Sequence, residues 1–198
     1  MNWKNLSLVS MLFATVAACG DDGGTTNENE VITTVILNFA PASGSPIVAT
    51  FNDADGDGGQ APTVDPVNLT PGTYTLTVQF QNRLETPPEE ITEEVNEEHD
   101  VHLLLFTGSA VVGPATSNTT GPLMQSYSDM DGNGLPVGLR NNIVASAGTG
   151  QLTVTLRHMP PEEPPVKSAD TVMQVKTGGV DSIGGSTDAQ VNFAVTVQ

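Results

Sequence analysis

The chain holds a single cysteine, Cys19, and a single tryptophan, Trp3, both within its first twenty residues. A single thiol has no second cysteine for an internal disulfide or a multi-thiolate metal site. Positive charge is also scarce. Six Lys and Arg face 23 Asp and Glu, giving a formal charge of −17. Such a surface argues against nucleic acid or anionic lipid as a partner for the folded part, and suits cations, cationic ligands or plain solubility. Motifs of hydrolytic and nucleotide chemistry are missing as well. There is no G-x-S-x-G, no H-E-x-x-H and no glycine-rich phosphate loop before a helix. The expectation is a protein that is not an enzyme.

Long apolar runs are likewise absent. The longest spans Leu6–Ala18 and is broken by Ser7, Ser10 and Thr15. About thirteen residues fall short of the roughly twenty that cross a bilayer. With Lys4 before it and small Ala17 and Ala18 closing it, the segment reads as a signal peptide over residues 1–18. The next residue sets the class. Val16-Ala17-Ala18-Cys19 resembles the lipobox of bacterial lipoproteins, in which the thiol receives a diacylglycerol and the preceding peptide bond is cut. That resemblance implies lipidation at Cys19 and a firm anchor, since acyl chains contribute about 0.8 kcal/mol per buried methylene. Cleavage would remove Lys4 and no acidic residue, taking the formal charge from −17 to −18. Residues 19–30, CGDDGGTTNENE, lack apolar side chains apart from Cys19 and read as a polar tether. Their acidity also resembles the surface-export signal of Bacteroidetes lipoproteins, with a solubilising linker as the alternative.

From residue 31 to 198 the period is two, and a single domain is expected. Tyr74, Leu76, Val78 and Phe80 alternate with polar neighbours across Thr73–Gln81. Leu152, Val154, Leu156 and His158 do so across Gln151–Met159, and Val191, Phe193, Val195 and Val197 across Ala189–Gln198. Glu30–Phe39 and Ile47–Asn52 are further strands. Val101–Thr107 is almost wholly apolar and is read as covered on both faces. Glycine-, proline- and aspartate-rich turns separate these runs. One segment, about Glu89–Glu98, has helical character. About eight strands and one short acidic helix or loop predict an all-β, immunoglobulin-like sandwich, with a barrel as the alternative.

Three groups of residues carry candidate chemistry. Leu84–Asp100 holds eight carboxylates, and a helix over 89–98 would place Glu90/Glu94, Glu93/Glu97 and Glu94/Glu98 as like-charged i,i+4 pairs. A cation would relieve that repulsion; a solvated acidic face is the plain alternative. His99 and His102 would point to opposite sides of a strand, but His102 opens one strand and His158 ends another. If those strands are antiparallel neighbours, the two rings meet at one end of a sheet, where the acidic block also enters. His102, His158, Glu98 and Glu94 are therefore the candidate transition-metal ligands, with zinc, copper or iron as the ion. Rim histidines making ordinary hydrogen bonds are the alternative. Finally, Asp53/Asp55/Asp57 and Asp129/Asp131/Asn133 match the first half of an EF-hand calcium loop, D-x-[DN]-x-[DN]-G. Both lack its glutamate at the twelfth position, where Val64 and Arg140 stand. A weaker hairpin calcium site or simple turn chemistry are the two readings.

Several phrases together resemble small acidic Bacteroidetes-type lipoproteins, some of which accompany TonB-dependent outer-membrane receptors. They are the lipobox with its acidic follow-on, residues 53–59, 69–74, 90–99 and 127–139, Leu156-Arg157-His158, and the closing 193–198. The resemblance implies an outer-membrane address, periplasmic or surface-exposed, and extends to a receptor partner. It supplies no catalytic residues. The expected function is a membrane-anchored, non-enzymatic accessory module that binds Ca2+, a transition metal such as Zn2+, or a small ligand. The alternative is a purely structural or adhesive surface lipoprotein.

Overall fold

Alternating apolar side chains need a second layer to cover them, and here two sheets supply it for each other. The computed structural model describes residues 30–56 and 58–198. The expected signal peptide, Cys19 and the tether up to residue 29 lie outside the described residues. Among those described, the first sheet contains β1 (Thr34–Pro41), β2 (Ile47–Asn52), β3 (Thr63–Val64), β5 (Gly72–Asn82), β6 (Glu89–Glu90), β8 (Val111–Val112), β9 (Leu123–Tyr127) and β10 (Arg140–Ala145). Its order is β3-β2-β1-β5-β10-β9-β8, with β6 paired to β5. The second sheet runs β4 (Val67–Leu69), β12 (Ser186–Val197), β11 (Gly148–His158), β7 (His102–Thr107). The protein is thus a β-sandwich, as the period-two reading predicts. Eight strands have five or more residues and four are shorter. Most pairs are antiparallel, but β4 joins β12 and β8 joins β9 in parallel.

The core lies between the sheets. Leu37 and Phe39 of β1, Tyr74, Leu76, Val78 and Phe80 of β5, Leu152, Val154 and Leu156 of β11, and Val191, Phe193, Val195 and Val197 of β12 are all buried. Tyr74, the first inward residue after the Pro71-Gly72 turn, donates its hydroxyl to the Thr70 carbonyl at 2.8 Å. Such a corner pins the start of a strand to the preceding loop.

β7 is covered on both faces, as its continuous apolar sequence predicts. Leu104 and Phe106 face the main core. Leu103 and Leu105 face a second cluster with Ala115, Met159, Val175 and Ile183. Val175 comes from a helix that the sequence reading does not anticipate, α2 (Thr171–Gly178). A short 3-10 turn, Val180–Ser182, follows it. The expected acidic helix is α1 (Ile91–Glu97), which buries Ile91 and Val95 and leaves its glutamates outside. It packs across the end of the sandwich, directly before β7. No helix among the described residues is long and apolar enough to cross a membrane.

Candidate metal centre at the end of the sandwich

The last inward position of β11 is His158, and the first inward position of its neighbour β7 is His102. Antiparallel register sets them directly opposite each other. Their rings stack with centroids 4.5 Å apart and planes 13° from parallel. Both are buried, His102 completely and His158 at 6 % exposure. A stack of two imidazoles cannot readily carry two positive charges. Burial first, and then the neighbouring His102, hold His158 below its ordinary pKa, against the pull of Asp188 and Glu98.

Glu98 arrives from the C-terminal end of α1, half-exposed, with its Oε2 3.8 Å from His158 Nε2. Its main-chain carbonyl lies 3.2 Å from His102 Nδ1. A carbonyl only accepts, so this contact assigns the proton to Nδ1 and leaves the Nε2 lone pair for a ligand in the neutral ring. Ligating atoms of Glu98, His102 and His158 all lie within 4.8 Å of one another. Glu94, the fourth residue of the predicted set, sits one turn back along α1. It influences Glu30, whose carboxyl is pushed up to about 7 by burial first and by Glu94 next. The same Glu30 senses His102 and Asp188 electrostatically.

Sequence reasoning missed Asp188. Alternation along β12 places Val191, Phe193, Val195 and Val197 inward, which would turn residue 188 outward. A β-bulge changes this. Leu156 pairs with Ala189 and the next residue, Arg157, with Thr187, so Asp188 is skipped and turned into the interior. Its side chain is fully buried, with Oδ2 3.6 Å from His102 Nε2. Neither Asp188 oxygen, nor His102 Nε2, has a hydrogen-bond partner among the described residues. Arg157 holds the bulge from the other face, donating to Thr187 Oγ1 at 2.6 Å and to the carbonyls of Gly184 and Gly185. Gly185 has φ of 76°, and a Cβ there would meet the His158 carbonyl oxygen at 1.9 Å. That glycine pair was the one signal in the sequence that a strand irregularity precedes residue 188.

The other predicted positions fall elsewhere. His99, in the turn after α1, contacts the Asn96 carbonyl at 2.7 Å and Asp100 at 3.6 Å. Of the first Asp-rich turn, Asp57 lies outside the described residues. Asp55 Oδ2 accepts from the Gln60 N–H at 3.2 Å, while Asp53 Oδ1 and Asp55 Oδ1 have no hydrogen-bond partner among the described residues. The second turn's carboxylates have partners within the protein. Asp131 Oδ1 accepts from the N–H groups of Asn133 and Leu135, and its Oδ2 lies 2.8 Å from Lys167 Nζ. Asp129 accepts from the N–H groups of Gly138 and Arg140, both at 2.9 Å. The second turn's two carboxylates are therefore engaged by main-chain N–H groups and by an ammonium of the protein itself.

Compared with known protein families, curated proteins and solved structures, the chain matches none.

Proposed function

We propose that this protein is a lipid-anchored, non-enzymatic protein of the cell envelope whose domain binds a divalent transition metal, zinc foremost, through His102, His158 and Glu98. It acts as an accessory module that holds the ion at the outer membrane, and a TonB-dependent receptor is the partner to which it would present it. The observation that carries the metal reading is the convergence of two stacked, buried imidazoles with a carboxylate, their ligating atoms within 4.8 Å of one another. Imidazole nitrogen and carboxylate oxygen are the donors that zinc and its neighbours accept. The Nδ1 contact to the Glu98 carbonyl is the outer partner that orients a metal-binding histidine. Calcium has less support, since the second Asp-rich turn is organised by Lys167.

Thermal melts of the metal-stripped protein with excess Zn2+, Cu2+, Fe2+ or Ca2+ test this. An ion at about a hundred times its dissociation constant adds about 2.7 kcal/mol. For a domain of this length that raises Tm by roughly 5–10 °C. A rise with the transition metals, lost in the His102→Ala/His158→Ala double variant, is expected. No shift with any ion would leave a structural or adhesive module. The anchor is tested separately: Cys19→Ser should abolish palmitate labelling and release the protein from the membrane fraction, and continued labelling would overturn lipidation at that residue.

A further inference from the structure

We propose that Asp188 is a fourth metal ligand, closing the His102–His158–Glu98 triad into a four-coordinate centre with two nitrogen and two oxygen donors. The inference rests on the metal reading above and adds a residue and a coordination number to it.

Asp188 is a carboxylate with a fully buried side chain and no hydrogen-bond donor on either oxygen. A charge so placed is strongly unfavourable unless a cation meets it. The group it faces is His102 Nε2 at 3.6 Å, beyond hydrogen-bond range. With the Nδ1 proton given to the Glu98 carbonyl, a neutral His102 turns a lone pair toward the lone pairs of Asp188. A metal ion between them converts that repulsion into two bonds.

The spacing agrees. Ligands at about 2.0–2.2 Å from a tetrahedral ion stand about 3.4 Å apart along each edge. The two closest imidazole–carboxylate approaches are 3.6 Å for His102 to Asp188 and 3.8 Å for His158 to Glu98. Charge agrees as well. Two neutral imidazoles and two carboxylates offset a divalent ion, so the loaded centre brings no net charge into the interior.

The fourth ligand also decides what kind of centre this is. Two histidines and one carboxylate with open positions is the arrangement of oxygen-activating iron sites. Closing it with Asp188 leaves no position for substrate or oxygen, and a closed centre holds its ion. The absence of sulfur donors disfavours Cu+ and favours Zn2+ or Co2+. The bulge and its Arg157 clamp exist, on this reading, to aim Asp188.

The experiment uses the metal-stripped full-length protein, titrated with Co2+ and, in competition, Zn2+. The wild type should give the intense visible absorption of four-coordinate Co2+. Asp188→Asn should fold, should turn that spectrum into the weak one of higher coordination, and should lose more than about 100-fold in Zn2+ affinity, beyond the 10–100-fold of an outer partner. Binding that persists in Asp188→Asn with unchanged affinity and spectrum, but disappears in His102→Ala/His158→Ala, would overturn the Asp188 assignment and leave the triad standing. A wild-type Co2+ spectrum of five- or six-coordinate type would overturn the closed centre without reference to any variant. No binding of either ion by the wild type would remove the metal reading itself, and this inference with it.

Discussion

Two buried polar clusters meet at His102, one on its main chain and one on its ring. On the main-chain side, Lys167 Nζ donates to the carbonyls of His99 and His102, each at 2.8 Å, and pairs with Asp131 at 2.8 Å. The Asp131 contact misses hydrogen-bond angles, as its Oδ2 has no hydrogen-bond partner, yet opposite charges that close are paired. Burial drives the Asp131 carboxyl upward, and Lys167 with the Leu135 and Asn133 N–H groups outweighs it, so its pKa lies below the ordinary value. On the ring side, His102 Nε2 and both oxygens of Asp188 have no hydrogen-bond partner. The chain therefore satisfies a buried charge when that charge serves the scaffold. The ring side is where the proposed metal would supply the missing partner.

Three changes probe that contrast, in falling order of effect. Lys167→Met should destabilise most, by about 3–5 kcal/mol, because it strands the buried Asp131 carboxylate. Urea melts would read this, and adding Asp131→Asn should restore part of the loss. If Lys167→Met were neutral, the scaffold cluster would not be the settled one. Gly185→Ala comes next. Left-handed backbone and the close His158 carbonyl together predict a loss of about 1–3 kcal/mol, together with weaker metal binding, since the collision falls on the strand end that carries His158. Wild-type metal affinity in that variant would show that the bulge does not position the centre.

Glu30→Gln is the smallest and concerns pH. The carboxyl rises from an ordinary 4.5 to about 7 in the folded chain, through burial and then Glu94. Between those values the folded state keeps a proton that the unfolded state has released. Its stabilisation is thus complete below about 4.5 and lost as pH rises through 7. Glutamine mimics the protonated form, so the variant should melt slightly higher than wild type at pH 8 and no higher at pH 4.5. Equal melting differences at both pH values would mean that Glu30 does not titrate this way.

How much of this was readable beforehand follows from how local each feature is. β5, β11 and the part of β12 after its bulge show clean alternation, and their core residues are those that the pattern names. The His102–His158 pairing was legible because each histidine sits at a strand end, so one assumption about strand neighbours brings the rings together. β9 and β10 were obscured by polar residues at inward positions. Gln125 and Asn141 are buried and bonded to each other at 2.8 Å, which breaks the apolar rhythm without breaking the strands. α2 was missed because it is eight residues long and holds two valines and two threonines, a weak helical signal that packing on Leu103 and Leu105 overrides. Asp188 and Lys167 were out of reach for another reason. One depends on a single skipped residue in a strand, and the other on a partner 36 residues away, at Asp131.

The described chain begins at Glu30, within electrostatic reach of His102 and Asp188 in the candidate centre. From Cys19 to Glu30 is eleven residues, and an extended chain covers at most about 3.5 Å per residue. Under the proposed lipidation, then, Glu30 lies on a leash of no more than about 40 Å from the bilayer. An ion held there would be kept within the thin shell of solution beside the membrane. A receptor in that membrane would meet the ion at a local concentration fixed by leash length, whatever the surrounding medium contained.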